Sequence, residues 1–253
     1  EKTSALALTG DYAFIVDGSK GLKIADVSDP DAPHIIGSIP SITGTLFSVD
    51  ILGDYAYAAG SGGIEVYDIS DPANPFDVAL LDADPGGMNE AIVYRGTLYA
   101  IDGAYFQPTA LKIIDISEPT QPSLESKVTG VATVLNRFGI WGDYAYITDE
   151  LGGVTAVNID RESADYRTTY GPVDPDTDST SPTAYAVAPF GNYAFVTNPD
   201  TGLALMDVTD PASMTPLTST GTWTGSPETT RLYGEHVYVA DRDAGLKIIR
   251  LRD

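Results

Sequence analysis

A nine-residue segment that recurs six times constrains the fold of this chain more than any other feature. Its clearest copy, at 111–119, reads Leu-Lys-Ile-Ile-Asp-Ile-Ser-Glu-Pro. The other copies lie at 22–30, 64–72, 154–162, 203–211 and 246–253, and those at 154–162 and 246–253 are weaker. A short apolar run with an aspartate near its end, followed by a proline, predicts a buried β-strand that stops in a turn.

A second segment, Gly-(Asp/Asn)-Tyr-Ala-(Phe/Tyr), alternates with the first in fixed order. Its glycines, two of them in degenerate copies, stand at 10, 53, 96, 142, 191 and 234, so the steps are 43, 43, 46, 49 and 43 residues. A period of about 40–50 residues with several short strands is typical of β-propeller blades. In the first repeat, strands are predicted at 4–9, 12–17, 22–28 and 34–39, with Gly10-Asp11 as a two-residue hairpin turn.

The repeats predict an all-β fold: one six-bladed β-propeller domain over residues 1–253, with four-stranded antiparallel blades and essentially no helix. The approximate blade bounds are 4–40, 47–83, 90–129, 136–171, 185–221 and 228–253. The sequence ends after the third strand of the last blade, so we expect three strands and an open edge there. That edge is either a shortened blade or a socket for a strand of another chain, with Leu246, Ile248, Ile249 and Arg250 as candidate assembly residues.

The two alternating segments resemble the LVIVD-repeat family of β-propellers, and the resemblance covers the whole chain. It implies a propeller of a kind common in secreted and cell-surface proteins of bacteria and archaea. It carries over no functional residue, since the family has no general catalytic motif. The fourth repeat, Val-Thr-Ala-Val-Asn-Ile-Asp, departs most from the pattern. We therefore expect an exported prokaryotic protein that is extracellular or lies on the cell surface.

The charge of the chain limits its partners. Lys and Arg total 14 against 36 Asp and Glu, which gives a formal net charge of -22. This excess argues against binding to nucleic acid or to anionic membrane surfaces, because both require cationic side chains. The absence of cysteine excludes disulfides and thiolate chemistry. No apolar run reaches the roughly 18 residues that a membrane-spanning helix needs.

Alignment of the six inner strands on their closing glycines predicts which side chains face where. Positions four and two before the glycine should pack between blades, and they are Leu6, Val49, Ile92, Phe138, Val187, Leu8, Ile51, Tyr94 and Ile140. Positions five and three before it should line a narrow channel, and most are small: Ala5, Ala7, Ser48, Ala91, Val93, Gly139, Ala186, Ala188 and Thr229.

Three charged residues stand out at the predicted channel positions, namely Asp50, Arg137 and Arg231. One interpretation is charge balance in a hydrated channel, with Asp50 reaching Arg231. The other is a small anionic ligand held between Arg137 and Arg231, since guanidinium groups bind carboxylates and phosphates well.

Aspartates end the apolar strand in four repeats, at Asp26, Asp68, Asp115 and Asp207. One catalytic or metal site does not need an aspartate in every blade. We therefore expect these side chains to accept hydrogen bonds from backbone N–H groups of the following turn.

A run of alternating aspartates, Asp174, Asp176 and Asp178, resembles the start of a calcium loop. Ser179 and Tyr185 stand where such a loop has glycine and glutamate. The run forms either a solvated acidic loop or a low-affinity Ca²⁺ site, and no other cofactor is predicted.

Sequence motifs for catalysis are scarce. The chain has two histidines, no His-x-x-His pair and no Gly-x-Ser-x-Gly segment. We expect a non-enzymatic structural or protein-binding module that meets partners through its loop faces, the inserted Tyr105-Phe106 or the open edge, and that self-assembles into oligomers or filaments. The alternative is a carbohydrate-active hydrolase or lyase, or a propeller that binds small anions, with its site at the channel mouth.

Overall fold

The computed structural model describes residues 5–82, 87–102, 110–176, 182–221, 223, 225, 227–242 and 244–251. Over these ranges the chain forms β-strands β1 to β23 and two short 3₁₀ turns, at Gly18–Lys20 and Pro211–Ser213. None of the helical segments in the same ranges is long and apolar enough to cross a lipid bilayer.

The strands pair into six antiparallel sheets, each built from strands that follow one another in the chain. The first sheet contains Ala5–Thr9 (β1), Tyr12–Val16 (β2), Leu22–Asp26 (β3) and His34–Ile39 (β4). The second contains Leu46–Leu52 (β5), Tyr55–Gly60 (β6), Gly63–Asp68 (β7) and Phe76–Asp82 (β8). The third contains Met88–Tyr94 (β9), Thr97–Asp102 (β10), Ala110–Asp115 (β11) and Ser123–Thr129 (β12). The fourth contains Leu135–Trp141 (β13), Tyr144–Asp149 (β14), Gly153–Asn158 (β15) and Thr169–Val173 (β16). The fifth contains Ala186–Phe190 (β17), Tyr193–Asn198 (β18), Gly202–Asp207 (β19) and Thr215–Ser219 (β20). The sixth contains Pro227–Tyr233 (β21), His236–Asp241 (β22) and Gly245–Arg250 (β23).

The sheets are the blades of a six-bladed β-propeller, five of them four-stranded and the last three-stranded over the described residues. The predicted fold class and the three-stranded last blade are therefore confirmed. The described residues divide into two compact units, one up to residue 129 with blades one to three and one from residue 130 with blades four to six.

The hairpin turn between the first two strands of a blade has two forms. In five blades it begins with the repeated glycine, which takes a positive φ, for example +54° at Gly10. Gly10-Asp11 is therefore the Gly-X turn that the sequence predicts. In the third blade the turn is Arg95-Gly96, and both residues have positive φ, 49° and 76°.

This second turn form makes the predicted alignment of the third blade wrong by one residue. Because the glycine is the second turn residue there, counting back from it exchanges the two faces of β9. Ala91 and Val93, predicted to line a channel, pack against the buried cluster of blades two and three. Ile92 and Tyr94, predicted to pack between blades, are only partly buried and lie on the other face.

In blade five, side chains on both faces of the inner strand β17 pack against neighbouring blades, which corrects the prediction that Ala188 lines a channel. Ala188 lies in a cluster with Val237 and Val239 of blade six, whereas Val187 packs toward blade four. In the first blade, β1 packs on blade two through Ala5 and Ala7. Leu6 and Leu8 lie on the opposite face of β1 and are exposed, and their packing between blades stays a prediction.

The aspartates that end the third strands are confirmed as turn residues. Asp26, Asp68, Asp115 and Asp207 each accept a hydrogen bond at 2.9 Å from the N–H two residues later. In the fourth blade, Asn158 Oδ1 accepts the N–H of Asp160 at 2.9 Å, so the turn is kept although the aspartate is not. These side chains supply acceptors for backbone groups that leave the sheet.

A close approach between β13 and β17 leads to a test of the packing. A Cβ at Gly139 would lie 2.5 Å from Cδ of Pro189 and 3.0 Å from the carbonyl oxygen of Val187. We expect Gly139→Ala to lower the free energy of unfolding by about 1–3 kcal/mol, because overpacking shifts neighbouring groups. Chemical denaturation measures this. Adding Pro189→Ala removes the nearer clash, so the double variant should recover part of the loss; simple additivity of the two losses would contradict this packing.

Candidate functional site

The candidate functional site is the outer strand of the last blade, β23. Over the described residues it pairs with β22 and with no other strand, so the backbone groups on its other side are not used within the sheet. Leu246 and Ile248 on this strand are 62% and 56% exposed. Arg250 is also exposed and forms an ion pair with Glu235 at 3.1 Å.

The opposite face of β23 fixes the strand to its blade. Lys247 forms an ion pair with the buried carboxylate of Asp241, and its ammonium lies 4.1 Å from the ring centroid of Trp223. Ile249 packs against the buried cluster that contains Val237. Ile249, which the sequence grouped with Leu246 and Ile248, thus belongs to the core side of the strand, as the alternation of a β-strand requires.

In the described part of the chain, β23 is thus a well-anchored strand whose outer backbone edge pairs with no strand and which carries two exposed apolar side chains. Such an edge can accept a further strand, because main-chain hydrogen bonds supply affinity and alternate side chains supply contact area. Whether it does so in this protein stays a prediction.

A repeated ion pair near the end of the second strand was not predicted from the sequence. Asp17 pairs with Lys23 in blade one, and Asp102 pairs with the buried Lys112 at 3.3 Å in blade three. The pair in blade six is the one that anchors β23. The signal in the sequence is an aspartate at the end of the second strand together with a lysine at the second position of the repeated nine-residue segment.

Blade two has neither residue of this ion pair. Gly60 stands in place of the aspartate, and Glu65 stands in place of the lysine. Glu65 is fully buried. Its carboxylate accepts hydrogen bonds from the Ser41 hydroxyl at 2.6 Å, the Ile42 N–H at 3.2 Å and the Thr43 N–H at 2.9 Å, and also from the hydroxyls of Thr43 and Tyr67.

Burial alone would raise the pKa of Glu65, but the hydrogen bonds from Ser41, Thr43, Tyr67 and Ile42 outweigh it and hold that pKa below its ordinary value. The phenol of Tyr67 shows the reverse effect. Burial raises its pKa, and its hydrogen bond to Glu65 and the nearby charge raise it further. Glu65 is therefore a structural carboxylate that stays ionised at neutral pH and fixes the loop entering blade two.

Blade four uses its aspartate without a lysine. Asp149 accepts the N–H groups of Thr133, Val134 and Leu151 at 2.6, 3.0 and 2.9 Å. This geometry gives the carboxylate a structural role at the loop that enters the blade, as charge-assisted bonds to backbone N–H groups are strong.

The predicted channel residues lie in different units. Asp50 lies in the first unit. Its carboxylate accepts a hydrogen bond from the N–H of Val93 in the next blade at 2.8 Å and another from the N–H of Ile51 at 2.9 Å. In the second unit, Arg231 is exposed and donates to the Thr230 carbonyl at 3.0 Å, whereas the backbone N–H of Arg137 donates to Thr148 Oγ1 at 3.1 Å. A shared site for these three residues stays a prediction.

The predicted calcium loop is described only in part. Asp174 Oδ1 accepts the N–H of Asp176 at 3.0 Å, while Asp178 lies outside the described residues. Among the residues that are described, no group of three or more His, Asp or Glu side chains is placed to hold a metal ion. The Ca²⁺ site stays a prediction, and the inserted Tyr105-Phe106 also lies outside the described ranges.

The blades and their turns define the chain as a β-propeller repeat protein. The family model of the LVIVD repeat matches residues 2–40, 43–79, 106–130, 138–164, 183–222 and 225–249. The chain belongs to the LVIVD-repeat family. A search of curated protein sequences finds no match.

Solved structures share the fold at low sequence identity. A candidate 6-phosphogluconolactonase from Bacteroides uniformis is 15% identical, with a TM-score of 0.76 over 99% of this chain and 81% of that one. One from Bacteroides fragilis is 16% identical, with a TM-score of 0.75 over 99% and 80%. The computationally designed Ika8 protein is 11% identical, with a TM-score of 0.72 over 99% and 71%.

The buried carboxylate of blade two supplies a test of its structural role. We expect Glu65→Gln to lower the free energy of unfolding by about 2–3 kcal/mol at pH 7, because a weaker acceptor leaves buried donors poorly satisfied. Since the folded pKa of Glu65 lies below its ordinary value, its stabilisation is complete above that value and is lost as the pH falls through the folded pKa. Urea unfolding at pH 7 and at pH 3 should thus show a gap that narrows in acid.

The matched control is Glu118→Gln, which changes an exposed glutamate in a turn. We expect little effect from it at either pH. An equal loss in the two variants, or a gap that widens in acid, would show that the contacts of Glu65 do not stabilise the fold.

Proposed function

We propose that this protein is a non-enzymatic interaction module that self-associates through the open edge of its last blade. The observation that carries this proposal is the edge strand β23, on which Leu246 and Ile248 are more than half exposed beside an unused line of backbone groups. Natural proteins usually block such edges with charges, prolines or covering segments. An edge strand with exposed apolar side chains is more typical of a binding surface than of a surface that only contacts water.

The occupant we propose is β23 of a second copy. Two identical edges pair antiparallel about a two-fold axis, so one strand satisfies both halves of the contact. The basic side chains of the strand do not oppose this pairing, because Lys247 is neutralised by Asp241 on the inner face and Arg250 is paired with Glu235. Exposed Leu246 and Ile248 add apolar contact on one side of the joined sheet.

We further propose that the protein is exported and works at a cell surface, as its family resemblance implies. The alternative function, a carbohydrate-active enzyme or a binder of small anions, has one external support. Two of the similar solved structures are candidate 6-phosphogluconolactonases, but their identity of 15–16% carries the fold and not the reaction.

The test is a charged substitution on the proposed contact. We expect the wild-type protein to form dimers or larger assemblies at high concentration, and Ile248→Lys to remain monomeric, because it places two ammonium groups in the paired sheet. Sedimentation velocity over a range of concentrations measures this. Ile248 suits the test better than Ile249, which packs in the core.

Leu151→Lys is the matched control, since Leu151 is also exposed but lies on a turn of blade four. It adds the same charge away from the edge and should assemble like the wild type. A wild-type protein that stays monomeric at every concentration contradicts the proposal, and so does equal dissociation of the two variants.

A further inference from the structure

Two large aromatic rings lie side by side on the surface of the second unit. Trp141 ends β13 and Phe190 ends β17, so they hold the same position in neighbouring blades, directly before the turn glycine. Their ring centroids are 4.7 Å apart at an interplanar angle of 54°, and the side chains are 41% and 49% exposed. Tyr193, opposite Phe190 in the sheet, is exposed as well.

The same position in the third blade shows what such a ring can bind. Tyr94 ends β9, and the next residue is Arg95, whose guanidinium lies 5.0 Å from the ring centroid of Tyr94. Arg95 reaches this place from a left-handed backbone conformation with φ of 49°. A cation above an aromatic face is attracted by the ring quadrupole, so the chain covers this ring with its own cation.

The chain uses this arrangement a second time. Arg167 follows Tyr166, has φ of 68° and places its guanidinium 5.3 Å from that ring. Over the described residues, Arg95 and Arg167 are the non-glycine residues with positive φ. Left-handed backbone is uncommon for arginine, and both arginines that adopt it lie over the ring of the preceding tyrosine.

Blades four and five lack this internal cation. Their turns begin with Gly142 and Gly191, which have no side chain to fold over Trp141 or Phe190. The residues that follow are Asp143 and Asn192, and neither is basic. Within the described part of the chain, no lysine or arginine is found over either ring.

Carboxylates make the surroundings of the ring pair attractive to a cation. Tyr144 lies opposite Trp141 in the sheet. Burial raises the pKa of Tyr144, and so do Tyr170 and the charges of Asp143, Asp165 and Asp210. The net charge of -22 adds a long-range attraction for basic partners.

We propose that Trp141 and Phe190 form a binding surface for a guanidinium group, namely an arginine side chain of a basic partner polypeptide. The partner's arginine takes the place that Arg95 takes in the third blade. This surface is independent of the β23 edge, and either can exist without the other. We propose arginine and not lysine as the bound side chain, because the planar guanidinium stacks on aromatic rings better than a compact ammonium does.

The binding test uses a fluorescently labelled pentapeptide, Gly-Arg-Gly-Arg-Gly, and the same peptide with citrulline in place of arginine. Citrulline keeps the shape of the side chain and removes its charge. By fluorescence anisotropy at about 0.15 M salt, we expect the wild type to bind the arginine peptide and to bind the citrulline peptide much more weakly. Trp141→Leu should weaken arginine binding about 5- to 30-fold, since it removes the ring that favours a cation most.

A pair of turn variants separates ring binding from general attraction. Gly142→Arg supplies an internal cation beside Trp141, as Arg95 does beside Tyr94, and should weaken peptide binding about as much as Trp141→Leu. Gly53→Arg is the matched control, because Gly53 has nearly the same φ, 57° against 60°, and the same open space, but follows the aliphatic Leu52. We expect Gly53→Arg to bind within about twofold of the wild type, less than 0.5 kcal/mol.

Several outcomes overturn the inference. Equal binding of the arginine and citrulline peptides would show a surface that stacks on neutral partners, such as a carbohydrate. Equal losses in Gly142→Arg and Gly53→Arg would show attraction by net charge alone. Absence of binding by the folded wild-type protein would remove the site; circular dichroism and thermal unfolding of every variant establish that each one is folded.

Discussion

The sheets depend on one constraint, which is that a blade cannot bury its own central strands. Each face must be covered by a neighbouring sheet, and blade two shows this within the first unit: Ile64 and Val66 pack toward blade three, whereas Tyr67 packs toward blade one. In the second unit, Leu203 and Met206 of blade five divide in the same way. The third strand of each blade is therefore mostly apolar, and this is why the repeat is visible in the sequence.

The ends of the blades are held by carboxylates, and the composition decides how. With 36 acidic residues against 14 basic ones, there are too few cations to pair every carboxylate, and several carboxylates accept hydrogen bonds from N–H and hydroxyl groups. Asp149 binds three backbone N–H groups, and Glu65 binds a whole loop segment together with Tyr67. A lysine is used at Asp241, which is almost fully buried.

The fold follows from the sequence because every blade repeats the same local pattern. The alignment fails in the third blade because Arg95-Gly96 is also a two-residue turn, so the spacing of the glycines does not reveal that their place in the turn has changed. Glu65 could not be assigned a role, since its partners Ser41 and Thr43 lie more than twenty residues away and belong to a variable loop. On β23 the strand period separates Ile248 from Ile249, but only the packing shows which of them is exposed.

Each proposed surface lies in a repeat without a covering group that is present in another repeat. Within the ranges that the structure describes, no strand covers β23 in blade six, and the turns at Gly142 and Gly191 lack the arginine that covers Tyr94. The two contacts also differ in their physics. Pairing of two chains of charge -22 is opposed by long-range repulsion, so added salt strengthens it. Attraction of a guanidinium to an acidic aromatic surface is weakened by the same salt, because its favourable charges are screened. Where both proposed surfaces are used, a rise in ionic strength should therefore strengthen self-association and weaken binding of the basic partner.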